Sequence, residues 1–148
     1  ADAVRFCETA RRLRPDLVFG ADLIAGFPTE SEAAFNNSLS IVDECDLTHL
    51  HVFPFSPRPG TPAARMPQLA REVVRERAKR LREKGEAALI RHLEAEVGRE
   101  RRILVETAET GRIEPFTPAR LAAPAEPGTV LRARITGHDG RRLLAEAA

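Results

Sequence analysis

The chain has 148 residues, with 23 Lys and Arg against 22 Asp and Glu, 43% hydrophobic residues, 5% aromatics and neither Trp nor Tyr. That length fits one domain or two small ones, and a net charge of +1 excludes a uniformly basic nucleic-acid binder while leaving room for a local basic patch. No apolar run approaches the roughly 18 residues needed to cross a bilayer, and no charged-then-apolar leader opens the chain, so the expectation is a soluble protein without an export signal. Cys7 and Cys45 are too few for a secreted disulfide scaffold and form no Cys-x-x-Cys pair, which points to a reducing cytoplasm.

Residues 1–13 place Ala3, Phe6, Cys7, Ala10 and Leu13 at helical spacing, with Arg5, Glu8, Arg11 and Arg12 opposite. Pro15 closes that helix. Leu17 to Ala25 is a mostly apolar run that reads as a strand buried on both faces, as in a parallel sheet, with Asp22 the exception. Gly26-Phe27-Pro28 breaks it. Thr29 with Glu32 reads as a capping box for a helix over about 30–45, whose inner stripe is Phe35, Leu39, Val42 and Cys45. Leu47 to Phe55 is a second strand, and it runs into Pro54-Phe55-Ser56-Pro57-Arg58-Pro59-Gly60-Thr61-Pro62, a loop with four prolines in nine residues. Strand, helix and strand make a βαβ unit. Two strands apolar on both faces need neighbours, and residues 1–67 supply none, so the expectation is the closing part of a larger α/β sheet or barrel.

Residues 68–97 predict the longest helix, with Leu69, Val73, Ala78, Leu81, Ala88, Leu89 and Leu93 on a stripe, Gly85 as a weak point and Gly98 as a C-terminal cap. The tail changes character. Residues 101–107, 113–121, 129–136 and 141–146 read as short strands separated by Thr-Gly, a Pro-Gly-rich stretch and Gly-His-Asp-Gly, the pattern of a small antiparallel barrel. Charge follows this division: residues 1–67 carry six basic and nine acidic side chains, 68–97 eight and six, and 98–148 nine and seven.

Several places have the residue types that chemistry needs. The turn Gly26 to Glu30 lies at the carboxyl end of a parallel strand, where α/β folds put ligands; free amides there would suit a carboxylate or a ribose hydroxyl, and an ordinary turn is the competing reading. Ser56, Arg58 and Thr61 sit on the proline-stiffened loop at the next strand end, and Arg58 suits a carboxylate or phosphate. His49 and His51 share one side of a strand but lack a third ligand, so packing is favoured over metal. Asp22 is either a buried base or a paired interior carboxylate. His92 and His138 read as exposed helix and turn residues. In the tail Leu131, Ala133 and Ile135 alternate with Arg132 and Arg134, which gives a core face and an arginine face suited to a phosphate backbone or simply to solvent. Arg141 and Arg142 follow, and Phe116 is the one ring available for stacking.

Three segments taken in order, Asp22 to Glu30, Phe55 to Ala63 and the terminal barrel, resemble the C-terminal half of the radical S-adenosylmethionine methylthiotransferases, the barrel corresponding to their TRAM domain. The run Ser-Pro-Arg-Pro-Gly-Thr-Pro-Ala is the most specific. The resemblance is closest to the branch that methylthiolates threonylcarbamoyladenosine beside the tRNA anticodon, through His51 to Phe55 and Ala63 to Pro67. The branch acting on isopentenyladenosine is the near alternative, and the branch acting on a ribosomal-protein aspartate usually has an acidic residue where Arg58 stands. The resemblance implies a partial (βα) barrel over 1–67, a connecting helix over 68–97 and a TRAM-like barrel over 98–148.

It also implies a 4Fe-4S cluster that cleaves S-adenosylmethionine to a deoxyadenosyl radical, a second cluster that supplies sulfur, and a second S-adenosylmethionine that supplies the methyl group. By the same resemblance Gly26, Phe27 and Pro28 line the S-adenosylmethionine pocket with Ile24 behind them. Arg58 faces cofactor or substrate, and the barrel grips the anticodon arm; Ser56 and Thr61 beside Arg58 are the further substrate-binding candidates, and Arg132 and Arg134 the RNA-binding ones. The family's Cys-x-x-x-Cys-x-x-Cys motif is not in these residues, so the expectation is no metal site and no radical chemistry in this polypeptide alone, with an N-terminal half as partner. Residues 111–116 also lack the tyrosines expected of the family. A non-enzymatic RNA-binding module is the alternative from another class.

Overall fold

A computed structural model describes residues 2–148. The chain divides into two compact units, one holding the residues up to Pro15 and Phe19–Ala88, the other Asp16–Val18 and Leu89–Ala148. Among the described residues no helix is long and apolar enough to cross a membrane.

The first unit runs α1 (Asp2–Leu13), β1 (Phe19–Ala25), α2 (Glu32–Glu44), β2 (Leu47–Pro54), a 3-10 turn (Ala63–Arg65) and then most of α3 (Arg71–Glu96). β1 and β2 are parallel, with Asp22 opposite His51 and Ile24 opposite Phe53. Helices cover one face of this pair: Cys7 of α1, Phe35 and Val42 of α2, and Ala78 and Leu81 of α3 share a core with Ala21, Leu23, Leu50 and Val52. The other face is open. Gly20, Asp22 and Ile24 alternate outward along β1, and His51 and Phe53 along β2. The expectation of burial on both faces therefore fails for these residues, although the strand itself forms. Neither strand has a second neighbour among the described residues.

Local chemistry shifts one helix boundary and resets two helix faces. The helix N-cap is Ser31, whose hydroxyl accepts from the Ala34 N–H at 3.1 Å, and not Thr29, whose backbone is left-handed at φ 68°. On α1 the inner face is Val4, Cys7 and Arg11, while Phe6 and Leu13 are 67% and 74% exposed. The rotation brings Arg11 over the Phe19 ring at 5.1 Å and lets it donate to the Cys45 carbonyl at 3.0 Å. On α3 the inner row includes Arg77 and Gly85 beside Ala78, Leu81 and Ala88, and Val73 faces out. Gly85 is a contact point: a Cβ there would lie 2.8 Å from Leu50 Cδ1.

The second unit holds the end of α3 and a closed barrel of five strands: β3 (Glu100–Thr107), β4 (Thr110–Ile113), β5 (Pro118–Leu121), β6 (Val130–His138) and β7 (Leu143–Ala147). They close in the order β3-β4-β5-β7-β6. All pairings are antiparallel except β5 with β7, which is parallel, so the barrel is mixed and not the wholly antiparallel one expected. The strand expected over 113–121 is two strands, split by a turn at Phe116, which has φ 71°. Ile103, Val105, Ile113, Ala133, Ile135 and Leu143 fill the interior with Leu93 from α3. At the helix end Gly98 takes φ 86° and donates its N–H to the Ile135 carbonyl at 2.8 Å, the role its position suggests. The buried Glu96 carboxylate accepts two bonds from Arg101, at 2.6 and 2.7 Å.

Gly111, which reads as turn punctuation, lies inside β4 with its Cα against β3, where a Cβ would come within 2.3 Å of the Leu104 carbonyl oxygen. A backbone atom cannot yield as a side-chain tip can. Gly111→Ala is expected to cost at least about 3 kcal/mol, the upper end of overpacking penalties. Gly137→Ala, whose Cβ would meet only Leu144 Cδ1 at 3.7 Å, is expected to stay within about 1 kcal/mol of the parent. Urea unfolding of the two variants measures the contrast.

Candidate functional site

The turn after β1 is built around a buried ion pair. Gly26 has φ 79°, and a Cβ on it would lie 2.8 Å from both Val74 methyls, so backbone and space each require glycine. Its N–H donates to Glu30 Oε2 at 3.0 Å. The same oxygen accepts from Arg77 at 2.8 Å, and Arg77 also donates to the Glu30 carbonyl at 2.7 Å and to Glu32 at 3.0 Å. The Arg77 and Glu30 side chains are both buried. Burial alone would push the Arg77 guanidinium down, but its hydrogen bonds to Glu30 and Glu32 hold it above its ordinary value. The Arg80 and Arg77 guanidiniums keep Glu32 below the usual carboxylate value.

Two of the turn's amides are therefore occupied within it, since the Glu30 N–H also donates, to the Phe27 carbonyl at 2.9 Å. The Gly-Phe-Pro-Thr-Glu segment is explained first by the fold. Pro28 is fully buried, and Phe27 packs edge-on against Phe55 with centroids 5.3 Å apart.

The open face of the strand pair leads into a cavity of about 630 Å³ at the carboxyl ends of β1 and β2. Ile24 and Phe53 form its apolar floor, 55% and 53% exposed, and Asp22, Ser56, Arg58 and Thr61 bring polar groups. The outward side chains at the end of β1 thus meet the proline-stiffened loop in one place: Ile24 with Ser56, Arg58 and Thr61. Gly26 lies instead on an adjoining cavity of about 400 Å³ with Phe55, Gln68, Arg71 and Arg75. Phe27 and Pro28 line neither. The loop is rigid locally: Thr61 Oγ1 donates to the Arg58 carbonyl at 2.8 Å and accepts from the Ala64 N–H at 3.3 Å. Phe53 and Asp22 complete the floor, and only the register Ile24–Phe53 and Asp22–His51 brings them there. Hydrophobic floor and convergent polar groups are the composition of a small-molecule site.

On the barrel, Ala133 and Ile135 point inward and Arg132 and Arg134 outward, as the alternation predicts. The two arginines differ in company. Arg134 stands between Glu100 on β3 and Glu146 on β7, whereas Arg132 stands opposite Arg102. Arg102 donates to Glu114 at 3.0 Å. Neither Arg132 nor Arg134 makes an ion pair among the described residues, and they differ in their cross-strand neighbours: an arginine beside Arg132, two glutamates beside Arg134. At the β6–β7 turn the Asp139 carboxylate accepts the N–H groups of Arg141 and Arg142 at 2.8 and 2.7 Å, which hold it below its usual value. His92, expected to be exposed, is half-buried with Nε2 2.8 Å from the hydroxyl of buried Thr117.

No protein-family model matches the chain. Among curated proteins it is 40% identical over 137 residues to the threonylcarbamoyladenosine tRNA methylthiotransferase of Rickettsia prowazekii, an alignment covering 93% of this chain and 32% of that protein. It is 37% identical over 107 residues to the protein of that name from Thermotoga maritima, covering 72% and 25%. It is 46% identical over 108 residues to the tRNA-2-methylthio-N(6)-dimethylallyladenosine synthase of Erythrobacter litoralis, covering 70% and 23%. The chain spans about a quarter to a third of the length of these relatives.

Replacing one member of the buried pair strands the other. Arg77→Met is expected to destabilise the first unit by about 3–5 kcal/mol, and adding Glu30→Gln to it should restore part of that loss, because the residual carboxylate is then removed. A double-mutant cycle in urea checks both numbers.

Proposed function

Because this chain belongs to the tRNA methylthiotransferase family, we propose that it contributes a cofactor-pocket wall and an RNA-binding barrel to an enzyme that places a methylthio group at C2 of threonylcarbamoyladenosine next to the anticodon. The observation that carries this reading is the convergence of Ile24, Ser56, Arg58 and Thr61 on one cavity at the ends of parallel strands. The alignment with the Rickettsia protein, which runs over 93% of the chain, supports it. The 46% identity to the Erythrobacter protein favours a second reading, dimethylallyladenosine as the base modified.

In this reading residues 1–67 are the closing part of a radical S-adenosylmethionine barrel, 68–97 a connecting helix and 98–148 a TRAM domain. The exposed Ile24 and Phe53 belong to a barrel interior that further strands, from an N-terminal half, would cover. S-adenosylmethionine fits the cavity chemically: Ile24 and Phe53 offer apolar contact to an adenine, Asp22 an acceptor for hydroxyl or ammonium groups, and Arg58 a partner for a carboxylate. When bound, the cofactor supplies the radical and methyl chemistry. Gly26, Phe27 and Pro28 shape this wall from behind through the Phe27–Phe55 contact and the Glu30 bonds. An iron–sulfur cluster does not fit the residues present. Cys7 and Cys45 are buried in the helical core, where burial followed by the Cys7 contact pushes the Cys45 thiol up, the opposite of what a thiolate ligand needs. No step through a cluster is assigned to this chain. The reading places the protein in the cytoplasm with tRNA as its partner.

The barrel's role is measurable with the chain by itself. Titration with tRNA is expected to show binding that weakens linearly in log K against log salt, as counterion release requires. Arg132→Ala should lower the slope by about one and weaken binding for all sequences alike. Arg134→Ala should do less, since Glu100 and Glu146 already offset its charge. Absence of binding at low salt would remove the RNA handle from this account.

A further inference from the structure

The turn between β4 and β5 displays an aromatic ring at a conformational cost. Phe116 is 73% exposed and holds φ 71°, a left-handed backbone that bulky residues rarely adopt. The surroundings enforce it. The Phe116 N–H donates to the Ile113 carbonyl at 2.9 Å, and the Ile113 N–H donates to the Thr117 carbonyl at 3.1 Å. Thr117, the next residue, is fully buried, with its hydroxyl 2.8 Å from His92 Nε2. Arg112 donates to the Phe116 carbonyl at 3.1 Å and lays its guanidinium 5.6 Å from the ring centroid. Glycine or asparagine would occupy this position with less strain, and burial of the ring would gain hydrophobic free energy that exposure forgoes. Strain that persists under such bracing marks a position kept for something other than folding.

The neighbours of the ring indicate what it serves. Two residues before it, Glu114 accepts from Arg102, and Arg102, Glu114 and Arg132 line one cleft of about 250 Å³ with Glu100 and Arg101. The unpaired Arg132 guanidinium therefore belongs to a cleft that shares Glu114 with the turn displaying Phe116. Arg112 is itself matched by Glu106 at 3.0 Å, so it contributes a flat face beside the ring more than a net charge. An exposed ring flanked by a planar cation, on a turn whose Glu114 also lines the cleft holding Arg132, matches the way single-stranded nucleic acid is held: base on aromatic, phosphate on arginine.

We propose that Phe116 and Arg112 form a stacking platform for one unpaired nucleobase of RNA, with the adjoining phosphate held by Arg132. This rests on the reading of the barrel as an RNA-binding unit and adds a base contact to it. The chain has no tryptophan, so Phe116→Trp places a single indole reporter at the site.

Titrating that variant with an anticodon stem-loop RNA is expected to quench the indole emission in step with binding followed by filter retention. Phe116→Gly, which also relieves the left-handed strain, is expected to keep or raise the melting temperature while weakening RNA binding by about 5- to 150-fold, the range for loss of one base–aromatic stack. If the RNA binds, weakens with Arg132→Ala, and yet leaves the indole emission and the Phe116→Gly affinity unchanged, the stacking platform is overturned and the RNA reading stands. If the parent chain binds no RNA at low salt, both fall together.

Discussion

The buried Arg77–Glu30 pair is the interaction on which the geometry of the first unit turns. One carboxylate oxygen receives both the Arg77 guanidinium and the Gly26 N–H, so a side chain from the long helix and the backbone at the end of β1 are fixed by the same atom. With that atom in place Gly26 takes its left-handed conformation against Val74, Phe27 turns onto Phe55, and the chain leaves the strand in a direction that keeps Ile24 facing the cavity. Desolvating two charges is costly, and a hydrophobic pair of the same volume would hold a helix to a turn at least as well. What the ion pair adds is direction, since a guanidinium that bonds Glu30 and Glu32 at once accepts few alternative arrangements.

This explains why so much of the Gly-Phe-Pro-Thr-Glu segment serves structure. Read as a ligand loop, its amides ought to be free; in the folded chain the Gly26 N–H is held by the Glu30 carboxylate and the Glu30 N–H by the Phe27 carbonyl. The recognition groups lie one step away, on the outward side chains of the two strands and on the proline-stiffened loop after β2. A rigid turn behind the wall and polar groups in front of it divide between them the tasks of holding a site and of binding to it.

Local periodicity was enough to find the helices and most strands, and it placed Phe35, Val42, Cys45, Ala133 and Ile135 in the core correctly. It failed where a partner distant in sequence decides. The face of α1 is set by Phe19 and the Cys45 carbonyl, which draw Arg11 inward and leave Phe6 and Leu13 outside. Ser31 caps α2 in place of Thr29, whose backbone is left-handed, and the parallel β5–β7 contact follows from barrel closure, to which no short window is sensitive. The site was legible in parts. Ile24, Ser56, Arg58 and Thr61 were visible as residues at strand ends and Asp22 as the one charge in an apolar strand, whereas Phe53 emerged only once the β1–β2 register was known. Arg77 left one trace in the sequence, a charged residue within an otherwise apolar helical row.

In the proposed function this chain supplies the corresponding third of a tRNA methylthiotransferase. The most direct test is a chimera in which it replaces the matched segment of the Rickettsia prowazekii relative, expressed in a bacterium lacking its own threonylcarbamoyladenosine methylthiotransferase, with the tRNA nucleosides analysed by mass spectrometry. The account predicts that the 2-methylthio derivative of threonylcarbamoyladenosine returns. A folded, cluster-loaded chimera that leaves the nucleoside unmodified would contradict it.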